Sequence, residues 1–160
     1  MDRKVSAHFI PFLENEEGVR LTAYQDAKGV WTIGVGHTGK EVVEGLVWTQ
    51  AECDHHLLLD IAWATFAVNQ AMASLKNPRY ISQNQFDALV SFTFNEGAAA
   101  LRSSCIMRYI GQGYYDAAAK AFLNWERVGN NAHMLHNRRM REKALFETPD
   151  PPDLPPSIAV

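Results

Sequence analysis

Residues 14–38 read ENEEGVRLTAYQDAKGVWTIGVGHT, and within this segment an acidic helical pattern changes to an extended one. Gly18 follows three carboxylates and is a typical residue at the end of a helix. Residues 26–29, DAKG, predict a short hairpin loop with Gly29 at a positive φ, because β-branched and aromatic side chains follow. The segment therefore predicts the end of a helix, a link and a hairpin, and only residues 21–37 are expected to be β.

The second strand of this hairpin is expected to have two unlike faces, because successive side chains of a strand point to opposite sides. One face carries Trp31, Ile33 and Val35, and the other carries Thr32, Gly34 and Gly36. A face with one hydroxyl and two glycines buries little surface, but it lets a large group approach the backbone closely. We interpret this face as the floor of a groove. Two glycines tolerated at a twisted edge strand are the alternative.

Two carboxylates from different elements lie beside this face in the predicted structure. Glu17 ends the first helix, and Asp26 begins the hairpin loop. Cleavage of a glycosidic bond needs one protonated carboxyl, which donates to the leaving oxygen, and one ionised carboxylate, which activates water or attacks the sugar. Burial raises the pKa of the first, whereas solvent and hydrogen bonds keep the pKa of the second low. Paired acids near a turn are more often only solvent-exposed, so the residues alone leave both interpretations open.

The rest of the chain is predicted to be mostly helical. Residues 5–16 form a first helix, with Ser6 as its cap and a kink at Pro11. TQAE at 49–52 is a capping box, and apolar residues recur behind it at helical spacing. This pattern predicts a single helix of about 26 residues, which is long enough to join two lobes.

Shorter helices and a proline-rich tail follow. SQNQ at 82–85 opens a helix that stops near Gly97. Further helices fit residues 104–110, 115–125 and 135–146, which are separated by Gly111, Gly113 and Gly129. Residues 149–156 hold five of the seven prolines, so this tail cannot form a helix or a central strand. It is expected to project as extended chain.

The composition is that of a globular protein with a single core. The chain has 160 residues, of which 47% are hydrophobic and 21% charged, and these values are ordinary for a domain. The most apolar run is interrupted by Asp60, and the N-terminal apolar stretch runs into Glu14, so neither a membrane span nor a signal peptide is predicted. Cys53 and Cys105 match no metal or redox spacing, so we expect free buried thiols in a protein made in a reducing cytoplasm, with a disulfide as the alternative.

Charge is uneven along the chain. Residues 1–60 hold five Lys/Arg against ten Asp/Glu, whereas residues 120–143 hold six against two. A local excess of positive charge favours an anionic partner, but from charge alone a solvated helical face is the preferred interpretation. The arginines of this basic region are Arg127, Arg138, Arg139 and Arg141.

The 14–38 segment closely resembles the signature of the phage-type lysozymes, a glycoside hydrolase family also called phage endolysins. That signature is Glu, eight residues, Asp, five residues and Thr, and Glu17, Asp26 and Thr32 have this spacing. Tyr24 and TIGVGH at 32–37 accompany it. The likeness continues in QFDALVSFTFNEGAAALRSS at 85–104, in AAAKAFLNW at 117–125 and in RRMREKALF at 138–146, and it extends over about residues 5–147.

The resemblance implies an α+β, mainly helical, lysozyme-like fold. A small N-terminal β-hairpin lobe and a helical C-terminal lobe would be joined by the long helix, with the cleft between them. Residues 1–147 would form this domain, and residues 148–160 would be a disordered tail. No cofactor and no metal are expected, although His133 and His136 are one helical turn apart.

The resemblance also assigns roles to residues. Glu17 would be the general acid, and Asp26 would hold and activate the attacking water with the Thr32 hydroxyl as second anchor. The family is expected to invert the configuration at the sugar. Substrate contacts are expected at Tyr24, Gly34, His37 and Phe94. Of these, Phe94 would line the groove. His37 is expected to be a hydrogen-bonded structural residue and not a catalytic base.

The implied function is hydrolysis of the β-1,4 bond between N-acetylmuramic acid and N-acetylglucosamine in bacterial peptidoglycan. A monomer without nucleic-acid partners or stable membrane association would accumulate in the host cytoplasm, and would reach the wall in the periplasm after a holin-type pore opens the membrane. A non-catalytic peptidoglycan-binding module is one alternative, although it need not keep Glu17, Asp26 and Thr32 together. A lytic transglycosylase is another, and it would need Glu17 but no water-activating Asp26.

Overall fold

The computed structural model describes residues 2–26, 29–77, 79–126 and 135–151. The chain forms two compact units, one of Ala7–Ala62 and the other of Met1–Ser6 with Trp63–Val160. The described residues are mainly helical, with one three-stranded antiparallel sheet. This confirms the predicted fold class.

The unit of Ala7–Ala62 contains the sheet and two helices. Its elements are α1 (Phe9–Glu17), β1 (Arg20–Gln25), β2 (Trp31–Gly34), β3 (His37–Thr38) and α2 (Gln50–Asp60). The strands are adjacent in the order β1-β2-β3, and both pairs are antiparallel. Apolar side chains from both helices and the sheet are buried, among them Leu13, Ile33 and Leu57. The small sheet is therefore held by a core that its own unit provides.

Helix α1 begins later than predicted. It starts at Phe9, and its N-cap residue makes no side-chain capping hydrogen bond. The predicted cap, Ser6, belongs to the other unit, where its hydroxyl donates to a carboxylate oxygen of Asp87 at 2.6 Å. Pro11 lies in the first turn of α1, where a backbone N–H has no helical acceptor. It removes no helical hydrogen bond there, so the expected kink has no cause.

Two turns connect the three strands. Gly29 has φ +78° in the loop between β1 and β2, as predicted from DAKG. Strand β2 then ends at Gly34, which has φ +64°, and Gly36 has φ +75°. The chain reverses there, so that Ile33 pairs with His37. Gly36 is therefore in a turn, and the prediction that it continues the face of Thr32 is wrong.

The predicted single helix after residue 49 is two helices. Thr49 forms the predicted capping box with Glu52 at the start of α2, but α2 ends at Asp60 and α3 begins at Ala62. Ile61 between them is buried, as are Leu57 before it and Ala64 after it. The apolar spacing thus continues across the interruption, which is why the sequence pattern does not reveal it.

The other unit is a helical bundle with α4 at its centre. Its elements are α3 (Ala62–Ala73), α4 (Gln83–Glu96), α5 (Ala98–Ser103), α6 (Cys105–Gln112), α7 (Tyr115–Ala121), a short 3-10 helix (Phe122–Trp125) and α8 (His136–Glu147). Ten of the 14 residues of α4 are buried, and it packs mainly against α8. The rings of Phe122 and Trp125 both meet Phe92 of α4 edge-on.

Local signals locate most ends of these helices. Ser82 forms the predicted capping box with Gln85, and Gly97 ends α4. Helix α6 continues through Gly111 and is capped by Gly113, whose backbone adopts the left-handed conformation. Helix α5 was not predicted from the sequence, and Gly129 lies outside the described residues.

The predicted basic surface is wrong at two of its arginines. Arg138 is 7% exposed and Arg139 is fully buried, and both approach the buried carboxylate of Glu142 within 3.1 Å. The Ser91 hydroxyl of α4 donates to the same carboxylate at 2.7 Å. Burial raises the pKa of Glu142, and the two arginines oppose that shift. These charges therefore lie inside the α4–α8 contact and not on the surface. Arg127 lies outside the described residues.

The start of the proline-rich segment is docked on α4. Asp150 accepts hydrogen bonds from the backbone N–H groups of Gln83 and Asn84, at 2.7 and 2.8 Å, in the first turn of this helix. A carboxylate at a helix N-terminus is favourable because it meets unpaired N–H groups and the positive end of the helix dipole. Residues 152–160, including the remaining prolines, lie outside the described part of the chain. Within the described residues, every helix is too short or too polar to cross a membrane.

Candidate active site

The predicted general acid, Glu17, is the last residue of α1 and is exposed. Helix α1 ends there because Gly18 adopts φ +78°, and the N–H of Gly18 donates to the carbonyl of Glu14 at 2.8 Å. The backbone leaves the helix immediately after Glu17 and enters β1 at Arg20. A carboxyl at this position can meet a ligand beside the end of the helix.

The second predicted carboxylate, Asp26, directly follows β1 and is half-buried. One of its carboxylate oxygens accepts a hydrogen bond from the backbone N–H of Val30 at 2.9 Å. Its own N–H donates to the carbonyl of Val30 at 2.9 Å, and its carbonyl accepts from the N–H of Gly29 at 2.9 Å. These bonds fix both the loop and the carboxylate.

Thr32 lies on β2 directly across from Tyr24 of β1. It is 4% exposed, and its hydroxyl donates to the carbonyl of Val30 at 3.0 Å. A threonine hydroxyl has one proton and two lone pairs, so this bond uses the proton and leaves the oxygen as an acceptor. Asp26 and Thr32 therefore each present acceptor oxygens from side chains that are tied to Val30.

All three predicted catalytic residues belong to one unit and come from successive elements. Glu17 ends α1, Asp26 follows β1, and Thr32 is in β2. The sequence spacing thus places each residue at a defined point of one helix–hairpin segment. The hydrogen bonds to Val30 were not predicted, because that residue contributes only backbone atoms, and no residue type signals them.

Tyr24 and Gly34 have different environments on the sheet. Tyr24 is half-buried, and the guanidinium of Arg20 lies 4.3 Å from the centre of its ring. Gly34 is buried, and a Cβ built on it would lie 2.9 Å from a ring carbon of Trp48 and 3.3 Å from the sulfur of Cys53. The prediction of an open face is therefore wrong at Gly34, because the close approach there is made by side chains of the same unit.

His37 is a hydrogen-bonded residue of β3, as its structural interpretation predicts. Its Nδ1 lies 2.8 Å from a carboxylate oxygen of Asp60, and its Nε2 lies 2.9 Å from one of Glu41. Its ring also contacts Trp48 and His56, which stack on each other with centroids 4.1 Å apart. Burial works against the charged ring, but the two carboxylates outweigh it and raise the pKa of His37.

The remaining predicted contact, Phe94, is in the helical unit. It is half-buried on α4 and stacks against Trp63 of α3, with ring centroids 6.2 Å apart and planes inclined by 28°. Trp63 is 47% exposed. The stacked pair is thus partly accessible, and the sequence prediction did not include Trp63.

One group of donors within the described residues could approach a metal ion. Single atoms of Glu14, Cys53 and Asp54 lie within 4.8 Å of one another. The amide of Gln50 already donates to both carboxylates, at 2.6 and 2.7 Å. Burial raises the pKa of Glu14 and of the Cys53 thiol, which favours their neutral forms. We therefore interpret these three side chains as a hydrogen-bonded cluster and not as a metal site.

His136 has an ordinary ion-pair partner, and the two cysteines are free, as expected from the sequence. His136 is 2.6 Å from a carboxylate oxygen of Glu126, and His133 lies outside the described residues. Cys53 is buried and Cys105 is half-buried, and both are free thiols.

Comparisons with known proteins agree on one family. Residues 14–142 match the family model described as phage lysozyme. The endolysin of Salmonella phage P22 is 42% identical in an alignment of 147 positions, which covers 89% of this chain and 97% of that protein. The solved structure of a mutant of P22 lysozyme is similar with a TM-score of 0.80 and 40% identity, covering 91% of this chain and 99% of that one. The muramidase domain of SpmX from Asticaccaulis excentricus is similar with a TM-score of 0.77 and 36% identity. The match covers 92% of this chain and 99% of that one.

Proposed function

This chain belongs to the phage lysozyme family and is a glycoside hydrolase that acts on bacterial peptidoglycan, and we propose that Glu17, Asp26 and Thr32 are its catalytic residues. The proposed bond is the β-1,4 link between N-acetylmuramic acid and N-acetylglucosamine. The observation that carries the proposal is the shared attachment of Asp26 and Thr32 to Val30.

Glu17 is proposed as the general acid. A protonated carboxyl there donates to the glycosidic oxygen as the bond breaks, which removes the need to expel an alkoxide. Its position supports this role because Glu17 is exposed and is the last residue of α1.

Asp26 and Thr32 are proposed to hold the attacking water. Both side chains offer acceptor oxygens, so one water can donate one hydrogen to each and keep a lone pair for the anomeric carbon. Asp26 then takes a proton as the water attacks. Inversion by this route requires the carboxyls of Glu17 and Asp26 to lie roughly 6.5–9.5 Å apart in the complex with substrate, so that a water fits between them.

The four predicted substrate contacts fall into two groups. Tyr24 and Phe94 are partly exposed rings, and we propose that each packs against a saccharide. Gly34 and His37 are covered by neighbours from their own unit. We propose that these two maintain the hairpin and affect the substrate through it.

The decisive experiment replaces Glu17 with Gln, which keeps the shape and removes the transferable proton. Release of muropeptides from purified peptidoglycan should fall by about 10²–10⁴-fold, while sedimentation with walls and circular dichroism stay unchanged. Glu16→Gln is the matched control, because it makes the same chemical change one residue away. A folded Glu17→Gln protein with near-normal turnover would exclude Glu17, and the acid would then be sought at Glu14 or Glu16.

The products separate hydrolysis from its alternatives. A hydrolase leaves a reducing sugar, a lytic transglycosylase leaves an anhydro-sugar, and a binding module leaves the wall intact. Anhydro-muropeptides as the main product would contradict the role proposed for Asp26.

The enzyme acts on the cell wall, and its route to the wall is a separate proposal. We propose that a monomer made in the host cytoplasm reaches the wall through a holin-type pore. Lysis should then follow chloroform treatment of cells that express this chain, and spontaneous lysis of the same cells would contradict the proposal. Light scattering of the purified protein tests the monomer.

A further inference from the structure

A cavity of about 410 Å³ lies in the helical unit, and none of its lining residues belongs to the proposed catalytic set. The end of α3 and the residues that directly follow it form one wall, which includes Leu75. The junction of α5 and α6 forms the other, which includes Arg102, Cys105 and Arg108. The volume is within the roughly 300–1,000 Å³ of pockets that hold organic ligands.

The lining is positively charged. Arg102 and Arg108 are both exposed, and no lining residue is acidic. None of the ion pairs among the described residues involves either arginine. The guanidinium of Arg108 donates a hydrogen bond to the Cys105 sulfur at 3.3 Å. Two guanidinium groups with free donors in a concave site favour an anion, and a planar fork matches a carboxylate.

The lining is also partly apolar, which limits the class of anion. Leu75 and Met107 contribute hydrocarbon surface beside the arginines. An inorganic ion would leave this surface and most of the volume unused. A short peptide with a carboxylate and small apolar side chains would use both, because apolar contact favours binding in proportion to the area removed from water.

We propose that this cavity binds a short acidic peptide, with its carboxylate between Arg102 and Arg108 and its apolar groups against Leu75 and Met107. Peptidoglycan carries such peptides on its muramic acid residues. The cavity is therefore a second contact with the wall, on the peptide part of the polymer. This identification of the ligand rests on the peptidoglycan substrate of the enzyme.

The test uses the full-length protein and a synthetic stem tetrapeptide, which has no glycosidic bond, so binding is measured independently of catalysis. In an NMR titration, the peptide should shift the side-chain Nε–H signals of Arg102 and Arg108. Arg102→Gln and Arg108→Gln should each weaken binding about tenfold, as expected for the loss of one charge-assisted hydrogen bond. Lys120→Gln is the matched control, because it removes one exposed positive charge from α7 of the same unit.

A second measurement uses the thiol in the lining. Cys105 is half-buried, whereas Cys53 is 1% exposed, so alkylation of the native protein reports on Cys105. The tetrapeptide should slow this alkylation severalfold in the wild type and much less in Arg108→Gln. Unchanged alkylation and unshifted arginine signals at saturating peptide would overturn the proposal. Equal binding of inorganic phosphate at the same arginines would overturn the assignment to a peptide.

Discussion

Asp26 and Thr32 are both hydrogen-bonded to the backbone of Val30, one to its N–H and the other to its carbonyl. The Asp26 carboxylate accepts from the N–H of Val30 at 2.9 Å, and the Thr32 hydroxyl donates to its carbonyl at 3.0 Å. The backbone N–H of Asp26 donates to that carbonyl as well. A change in the loop between β1 and β2 therefore moves both side chains together, which couples the position of the proposed base to that of the second anchor of the water.

Substitutions at Asp26 should separate its chemical role from its structural one. Asp26→Asn keeps an oxygen that accepts from Val30, so its free energy of unfolding should stay within about 1 kcal/mol of the wild type, whereas Asp26→Ala should lose roughly 0.5–1.5 kcal/mol. Both should lose about 10²–10⁴-fold in muropeptide release, because neither can take a proton from water. Denaturant unfolding and muropeptide analysis measure the two effects. An active Asp26→Asn enzyme would exclude Asp26 as the base.

Thr32→Val should cost less activity than either acid substitution. It removes one proposed hydrogen bond to the water and leaves both carboxylates, so about a tenfold loss in turnover is expected. The carbonyl of Val30 keeps its bond from Asp26, so unfolding should become easier by no more than about 1 kcal/mol. Thr32→Ser keeps the hydroxyl and is the control for activity. If the serine variant were as inactive as the valine variant, the loss of activity in Thr32→Val could not be assigned to the hydroxyl.

The sequence predicted those parts of the fold that neighbouring residues determine. Thr49 and Ser82 form their capping boxes with side chains three positions ahead. Gly18 and Gly97 end helices because glycine adopts a positive φ without steric cost. These features need no information from distant parts of the chain, and they also placed Glu17 at the end of a helix.

The errors occur where distant residues decide the outcome. A count of charges cannot show that Arg139 is buried against Glu142, because that depends on how α8 packs on α4. Strand alternation cannot show that Trp48 covers Gly34. Serine is a common helix-capping residue, but the hydroxyl of Ser6 donates its hydrogen bond to Asp87, which is 81 positions away. In each case the sequence showed the type of residue correctly but did not show which distant residue it contacts.

Gly34 should be required for packing as well as for its backbone conformation. An alanine Cβ there would lie 2.9 Å from Trp48, which is 8% exposed and stacked on His56. Gly36 has a similar φ, of +75°, but no atom lies within 4 Å of the corresponding Cβ. Gly36→Ala should therefore cost about 1–2 kcal/mol of stability from backbone strain alone. Gly34→Ala should cost a further 1–3 kcal/mol or so from overpacking.

Urea unfolding of the two alanine variants measures this difference directly. The comparison is matched, because both substitutions add one methyl group at a left-handed glycine of the same turn. Equal losses would mean that Trp48 moves away without cost, and packing would then not explain why residue 34 is glycine.

His37 should make the stability of its unit depend on pH. Both ring nitrogens face carboxylates, at 2.8 Å for Asp60 and 2.9 Å for Glu41, and only the protonated ring can donate to both. His56 and Trp48 are the other rings against it. The pKa of His37 is raised in the folded protein, since the carboxylates outweigh the effect of burial. The folded state therefore binds this proton more tightly than the unfolded state, and the resulting stability is present below the ordinary histidine pKa of about 6.5 and is lost as pH rises through the higher folded value.

The free energy of unfolding should consequently fall between pH 6 and about pH 9 more steeply in the wild type than in His37→Gln. Subtracting the two curves removes the contributions of the histidines that do not contact His37, and His55→Gln, at an exposed position of α2, should follow the wild-type curve. At acid pH the sign reverses, because the hydrogen bond from His37 lowers the pKa of Glu41 and that contribution is lost as the carboxylate is protonated. A difference curve that is flat from pH 6 to about pH 9 would show that the pKa of His37 is the same in the folded and unfolded states, so that its two carboxylate contacts do not favour the protonated ring.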